Sequence, residues 1–440
     1  MYGLDMKFRN LADPIKEIES ETEVTLKGWV VSRRNHGKIR FIDIEDRSGT
    51  IQVVAKEDNL SSEAWEAIVD VSEEACVEVA GDYDPEQTEV VASDFTVLSD
   101  APEPITPKPR GNKDLNSEEH HDQILSNSHL YVRSDWKRDV LGLRDVFVEE
   151  LQSFLREREL VDYTAPILTP LTLYDPETAF STDFYGDDIY LTQCTAFYLE
   201  AAVPAFERVF YLSPTFRAEK SRSKRHLSEY WHIKGEIAFC DLPEMMTFVE
   251  ELVVSCAHAI YDDPRAENFD IERDASWFEG PFEELTYTEA VDLLHEHDMS
   301  FEWGNNLGND EEALLGEIIG EPFWVSHLPR KAEPFPYRVN PDDDSTTLTA
   351  DLLVPGYGEV LGTAEKIYET EELYTRMDEE HSLPLTEEKY DWFVELREQG
   401  LPPHSGFGMG VERMLRAFLG LDHVRDAIPH PRLYPRVPRV

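Results

Sequence analysis

Apolar residues alternate with polar ones at a spacing of two from Val24 to about Leu98, then recur at three and four after Asp135, and this change of period divides the chain. In the first region, β-rich runs cover residues 24–34, 38–45, 50–56, 75–83 and 88–98, with Asp46-Arg47-Ser48-Gly49 as a turn. Residues 61–75 break the alternation with helical spacing and a serine start. Five strands with a helix between the third and fourth fit a small barrel, and a sandwich of similar strands remains open. Residues 99–128 turn to Pro, Lys, Asn, Glu and His, which reads as a hinge.

The second period starts with an amphipathic helix over Asp135–Glu159, carried by Val140, Leu143, Val146, Phe147, Leu151, Phe154 and Leu155. Residues 189–200, 207–219 and 229–241 read as antiparallel strands, and Pro243–Tyr261 as a helix. Residues 346–368 are again strand-like, and Gly406–Gly420 reads as a glycine turn running into a helix. Strands and helices without strict β-α-β alternation make this an α+β domain around an antiparallel sheet. The expected division is 1–105, a hinge at 106–134, and 135–440 with an insertion near 268–320.

The chain carries 41 Lys and Arg against 90 Asp and Glu, a formal charge of −49. With 41% hydrophobic residues it can bury a core, so the expectation is an acidic, hydrated surface suited to high salt. Against that background Arg217, Lys220, Arg222, Lys224, Arg225 and His226 fall within one short segment. Such a block fits a polyanion, and a solvated charged hairpin is the alternative. Cys76, Cys194, Cys240 and Cys256 are far apart and lack metal or disulfide spacing, which fits a reducing cytoplasm. The first residues lack a basic segment followed by an apolar run, and no stretch approaches the length of a membrane span, so no membrane partner is expected.

Within the basic block, Arg217 and Glu219 are two apart on one predicted strand and so share a face. An arginine grips a phosphoryl group bidentately, Arg225 and His226 reach further along a polyphosphate, and Tyr230 offers a flat face for a base. The alternate glycines of Gly406-Phe407-Gly408-Met409-Gly410 let backbone approach a ligand, and Arg413 follows on a helix. Asp351 and Glu359 form a carboxylate pair of the kind that holds Mg²⁺ against phosphates, although acidic pairs are common on so acidic a surface. In the first domain Arg33, Arg34, Phe41 and Gln52 supply the cation, aromatic and amide that stack on and read unpaired bases. A core position for Phe41 and an exposed strand position for Gln52 remain open.

Taken together these segments resemble the class IIb aminoacyl-tRNA synthetases, the asparaginyl branch more than the aspartyl one, along essentially the whole chain. The resemblance implies an oligonucleotide-binding (OB) barrel followed by a class II catalytic domain. It implies ATP and Mg²⁺ as cofactors, an amino acid or related carboxylic acid and tRNA as partners, and a homodimer with Pro166 at the interface. Arg217 would bind the α-phosphate, Tyr230 and Arg413 would sandwich adenine, and Glu219 would touch its edge. Arg225 and His226 would lie by the γ-phosphate, Leu227 and Gly410 would complete the ATP site, and Asp351 and Glu359 would bind Mg²⁺. Arg34, Phe41 and Gln52 would read a central anticodon uridine.

The resemblance also implies an amino-acid pocket at Tyr174, Asp175, Ala196, Glu200, Lys234, Gly362 and Lys366, and there the chain departs from the family. It has Leu173-Tyr174-Asp175-Pro176 where a glutamate precedes glycine, and Ala196 where glutamine stands. It has Lys234 where an acidic residue contacts the amino acid, and Lys366 where arginine stands. Three functions follow: an asparagine–tRNA ligase-like enzyme, a paralogue that activates a different acid with ATP, and a non-catalytic tRNA-binding protein.

Overall fold

The computed structural model describes residues 11–111, 115, 117–173, 176–269, 271, 274–379 and 388–436. Tyr174 and Asp175, named above for the pocket, lie outside the described residues. The chain divides into two compact units, one reaching Ile124 and including Arg133–Asp135, the other comprising Leu125–Val132 and everything from Trp136.

The first unit is a closed barrel of β1 (Thr22–His36), β2 (Ile39–Glu45), β3 (Thr50–Lys56), β4 (Cys76–Asp84) and β5 (Glu89–Ser99), in the order β1-β2-β3-β5-β4. Alternation decides which side chains enter it: Val24, Leu26, Val30, Ile42, Ile44, Val53, Val77, Val79 and Val90 are each no more than 2% exposed. Each such side chain stabilises the barrel by roughly 1.5–3 kcal/mol relative to exposure. Closure needs β1 to bend, and a register shift between Val30 and Ser32 marks the place. The helix Ser62–Asp70 follows β3, with the Ser61 hydroxyl accepting from the Ala64 N–H at 3.1 Å. Part of the segment expected as a hinge is held tightly, since the guanidinium of Arg110 is buried against the carboxylates of Glu74 and Glu45.

The second unit is built on an eight-stranded sheet. Its strands are β6 (Val161–Asp162), β10 (Arg208–Phe216), β11 (Glu229–Ala238), β12 (Glu283–Thr286), β13 (Phe323–Ser326), β14 (Thr349–Val354), β15 (Gly358–Lys366) and β16 (His404–Gly410). They run in the order β12-β13-β14-β15-β16-β11-β10-β6. A separate small sheet contains β7 (Leu168–Thr169), β8 (Ser181–Phe184) and β9 (Asp187–Leu191). The strand β12 lies within the span expected as an insertion, so that span also extends the main sheet.

The two faces of the main sheet do different things. Phe407, Met409, Ile233 and Ile237 turn to one face and pack into a core with the helices Asp135–Glu157, Leu242–Tyr261 and Val411–Leu419. The helix Leu242–Tyr261 is fixed at its start by Asp241 and Glu244, each side chain accepting from the other's backbone N–H, with Pro243 in the first turn. The opposite face carries a cavity.

Two elements differ from the sequence expectation. Residues 189–200 are not one strand: β9 ends at Leu191 and Ala196–Phe206 is a helix, nearly all apolar because it is buried on several sides. The glycine run is not a turn but the strand β16, and the helix Val411–Leu419 starts only after it.

Candidate active site

The floor of the cavity is the glycine face of β16. A spacing of two puts Gly406, Gly408 and Gly410 on the same side of the strand, and all three line the cavity. Neighbouring side chains lean over the space that side chains would have filled. A Cβ on Gly408 would meet Lys234 Nζ at 2.6 Å and His232 Nε2 at 3.1 Å, and a Cβ on Gly406 would meet the Glu236 carboxylate at 2.3 Å. Register explains the contacts, because Lys234 pairs with Gly408, Gly408 with Gly362, and Gly362 with Asp351 in one row across four strands. The cavity holds about 410 Å³.

At one end the basic block divides. Arg217, Arg225 and His226 line the cavity, whereas Lys220, Arg222 and Lys224 are exposed, with Lys224 paired to Asp422. The expected strand through Arg217 and Glu219 is also corrected, since β10 ends at Phe216. The two are nonetheless together: Glu219 lies 3.5 Å from Arg217 and 3.6 Å from His226. Leu227, Tyr230, Gly410 and Arg413 line the same end. Arg413 donates to Glu359 Oε2 at 3.1 Å and to the Glu359 carbonyl at 3.3 Å, and its Nε donates to the Arg225 carbonyl at 3.4 Å. Arg225 pairs with Glu312, whose Oε2 accepts from the Glu359 N–H at 3.1 Å. Four charged residues from a loop, two helices and a strand therefore close a ring.

Electrostatics follow from that crowding. Burial raises the Glu359 carboxyl, but Arg413, Arg217 and Arg225 more than offset this and hold it below its ordinary range. Asp351 lies well above its ordinary range, through burial and then the carboxylates of Glu359, Glu333 and Glu312. Burial, with Arg413 and Arg225 nearby, lowers His226 and favours a neutral imidazole there. The carboxylates around Asp351 repel one another, and a cation among them would relieve that repulsion. Among the described residues, no group of three or more acidic, His or Cys side chains is preassembled for a metal.

The inner end is different. Lys234, Glu236, Gly362 and Lys366 line it, with Glu333 and Tyr337 from the chain after β13. Lys366 is 5% exposed, lies 3.7 Å from Glu236 and sits 4.3 Å from the centre of the Tyr337 ring. Burial raises Glu236 despite Lys366, and burial together with Glu359 pushes Glu333 up to about 7. His232, beside Lys234, is lowered well below its ordinary value, by burial first and then by Lys234. Ala196 and Glu200 do not line the cavity. Both sit on the helix Ala196–Phe206, and Glu200 is buried in a pair with Arg397, with His404 at 3.7 Å. Sequence reasoning missed Glu312, Glu333, His232 and Glu236; only the alternation of His232, Lys234 and Glu236 along β11 could have placed the last two beside Lys234.

On the barrel, Arg34, Phe41 and Gln52 come together on the outer surface. Arg34 pairs with Phe41 in the ladder and lies 5.8 Å over its ring, and its Nη2 donates to Gln52 Oε1 at 2.7 Å. Gln52 in turn donates to Glu89 Oε2 at 2.9 Å. Phe41 is half-buried, while its neighbour Ile42 faces the core. Arg33, on the other face of β1, donates instead to the carbonyls of Val69 and Val71 at the end of the barrel's helix. Pro166 is exposed between Val161 and Leu168, themselves 39% and 45% exposed.

Known proteins share this arrangement. A profile described as OB-fold nucleic acid binding domain matches residues 24–98, and one described as tRNA synthetases class II (D, K and N) matches residues 120–434. Asparagine–tRNA ligase of Koribacter versatilis is 34% identical over 433 residues, 94% of this chain and 95% of that protein. The corresponding ligase of Thermoplasma acidophilum is 33% identical over 93% of this chain and 95% of that protein. The crystal structure of asparaginyl-tRNA synthetase from Pyrococcus horikoshii complexed with asparaginyl-adenylate superposes with a TM-score of 0.92 at 32% identity, covering 98% of this chain and all of that one. A family profile that spans nearly all of the second unit and relatives that match over most of their length leave one conclusion: the chain belongs to the class II tRNA synthetases of the D, K and N group.

Proposed function

We propose that this protein is an asparagine–tRNA ligase-like enzyme, which uses ATP to convert a carboxylic acid to its adenylate and then transfers the acyl group to the 3′ end of tRNA. The observation that carries the reading is the convergence of Arg217, Arg225, His226, Arg413 and Glu359 at one end of a glycine-floored cavity, in a chain 34% identical to an asparagine–tRNA ligase over nearly its whole length. The chemistry needs no side-chain nucleophile. A bound carboxylate attacks the α-phosphorus, pyrophosphate leaves, and a ribose hydroxyl of tRNA later displaces AMP; positioning and charge stabilisation do the catalysis.

Arg217 binds the α-phosphate and the charge that develops on it. Tyr230 and Arg413 sandwich the adenine, and Glu219, held beside Arg217, touches its edge. Arg225 and neutral His226 meet the far phosphates, with Leu227 and Gly410 closing the site. Asp351 and Glu359 would hold Mg²⁺, which would neutralise phosphate charge. Arg34, Phe41 and Gln52 take an unpaired anticodon base by stacking and hydrogen bonding. The exposure of Val161, Pro166 and Leu168 supports a homodimer with Pro166 at its interface. The acidic composition supports a protein that works at high salt.

One observation favours a second reading, activation of an acid other than asparagine. The ammonium of Lys234 sits on the cavity floor over Gly408, where the α-ammonium of an amino acid would meet a like charge. Pyrophosphate exchange into ATP at high KCl, run with a panel of carboxylic acids, decides between them. Exchange with asparagine and not aspartate upholds the first reading, exchange only with another acid upholds the second, and no exchange with any acid overturns both.

A further inference from the structure

We propose that Glu312 is a positioning residue for the triphosphate: it holds the guanidinium of Arg225 at the angle from which the free donors of that arginine meet the terminal phosphates. The inference rests on the nucleotide reading above and assigns a role to a segment, the helix Asn309–Ile319, that otherwise only flanks the site.

The geometry is specific. Glu312 is 8% exposed, and its Oε2 binds both Arg225 Nη1 and the backbone N–H of Glu359. The carboxylate is therefore tethered to β15 and is not a free counter-ion that drifts with the arginine. Gly358 makes room for the pair. Its φ of +75° lies in the left-handed region, and a Cβ there would meet Arg225 Nη1 at 2.0 Å and Glu312 Oε2 at 2.2 Å. A residue with a side chain at position 358 could not coexist with this contact.

One edge of the Arg225 guanidinium is thus committed, and Arg225 Nε is buried without a hydrogen-bond partner among the described residues. A buried donor left open is expensive to maintain unless something else binds it. Arg225 lines the cavity on the side of Arg217, His226 and Arg413, so an anion entering that end meets it. Holding an arginine in advance of its ligand removes the cost of ordering four rotatable bonds on binding. Glu312 also joins Arg225 to Glu359 and through it to Arg413, so the contacts to the far phosphates and those to the base share one frame.

The test uses the full chain and two probes, ATP and AMP, measured by calorimetry, with pyrophosphate-exchange kinetics beside them. Glu312→Gln keeps the size of the side chain and its ability to accept from Glu359 N–H but removes the charge that holds Arg225. It is expected to raise Kd and KM for ATP roughly tenfold, leaving AMP affinity and KM for the acid unchanged. In an Arg225→Ala background the same change should add nothing, because its target is gone. If Glu312→Gln does not fold, Glu312→Asp, charged but one methylene shorter, must weaken ATP and spare AMP. Equal loss of ATP and AMP, or no loss of either in a variant whose parent binds ATP, overturns the role of Glu312. A parent chain that does not bind ATP at all overturns the nucleotide reading itself.

Discussion

The two ends of the cavity solve opposite problems. At the end proposed for phosphate, two arginines and two carboxylates close a ring in which every partner comes from a different element, and Arg413, Arg217 and Arg225 hold Glu359 charged. At the inner end Lys366 is buried beside Glu236, and Glu333 is pushed up to about 7. The first end, in the proposed reading, is a fixed receptor for negative charge. The second has nearly balanced charge, so small changes there alter what binds. Preorganised charge suits the step common to all substrates, and near neutrality suits the step that discriminates among them.

The largest expected effect breaks the first end alone. Arg217→Ala should lower the rate of pyrophosphate exchange by about 10²–10³ with little change in KM for the acid, and a mainly acid-binding defect would reverse the assignment of ends. A smaller effect isolates the second. Gly408→Ala places a methyl 2.6 Å from Lys234 Nζ, which must move from the floor. A misplacement of that kind lowers kcat/KM for the acid by up to about 10², while KM for ATP should stay near that of the parent; a change confined to ATP would show that Lys234 serves the other end.

The smallest effect is one of stability. Glu333 has its carboxyl raised from 4.5 to about 7, by burial and by Glu359. The folded state therefore binds this proton more tightly than the unfolded chain does, and ionisation above the unfolded value costs stability as pH rises. Glu333→Gln removes that cost. Its stability relative to the parent should climb between about pH 4.5 and 7 and then level off, in urea melts compared pH by pH. A difference that is flat across this window would mean that Glu333 titrates normally.

Much of the phosphate end was legible in the chain because cations are scarce in it: Arg217, Arg225, His226 and Arg413 stood out and share one cavity. The barrel was legible from its period of two, whereas the outward position of Phe41 and the inward one of Ile42 came from the structure. The inner end was not. Glu236 and Glu333 are two acids among 90, and nothing local distinguishes a carboxylate that will be buried from one that will be solvated. Register across β11, β16 and β15 selects Glu236, and the path of the chain after β13 brings in Glu333, both non-local facts. The helix Ala196–Phe206 escaped for another reason: an almost wholly apolar segment shows no stripe, so the alternation of β9 was carried on through it. Period two also holds for β16, where bare glycines read more naturally as a turn.

The bare strand has a consequence for how such a protein can change. A floor without side chains takes no part in choosing a ligand, so β16 supplies shape while β11, β15 and the chain after β13 supply preference. Those neighbours reach the floor from its sides, and their inward positions can be exchanged without touching the helices on the far face of the sheet. Selectivity in this architecture is therefore interchangeable, like type set in a fixed frame, and the frame is the part whose residues cannot grow.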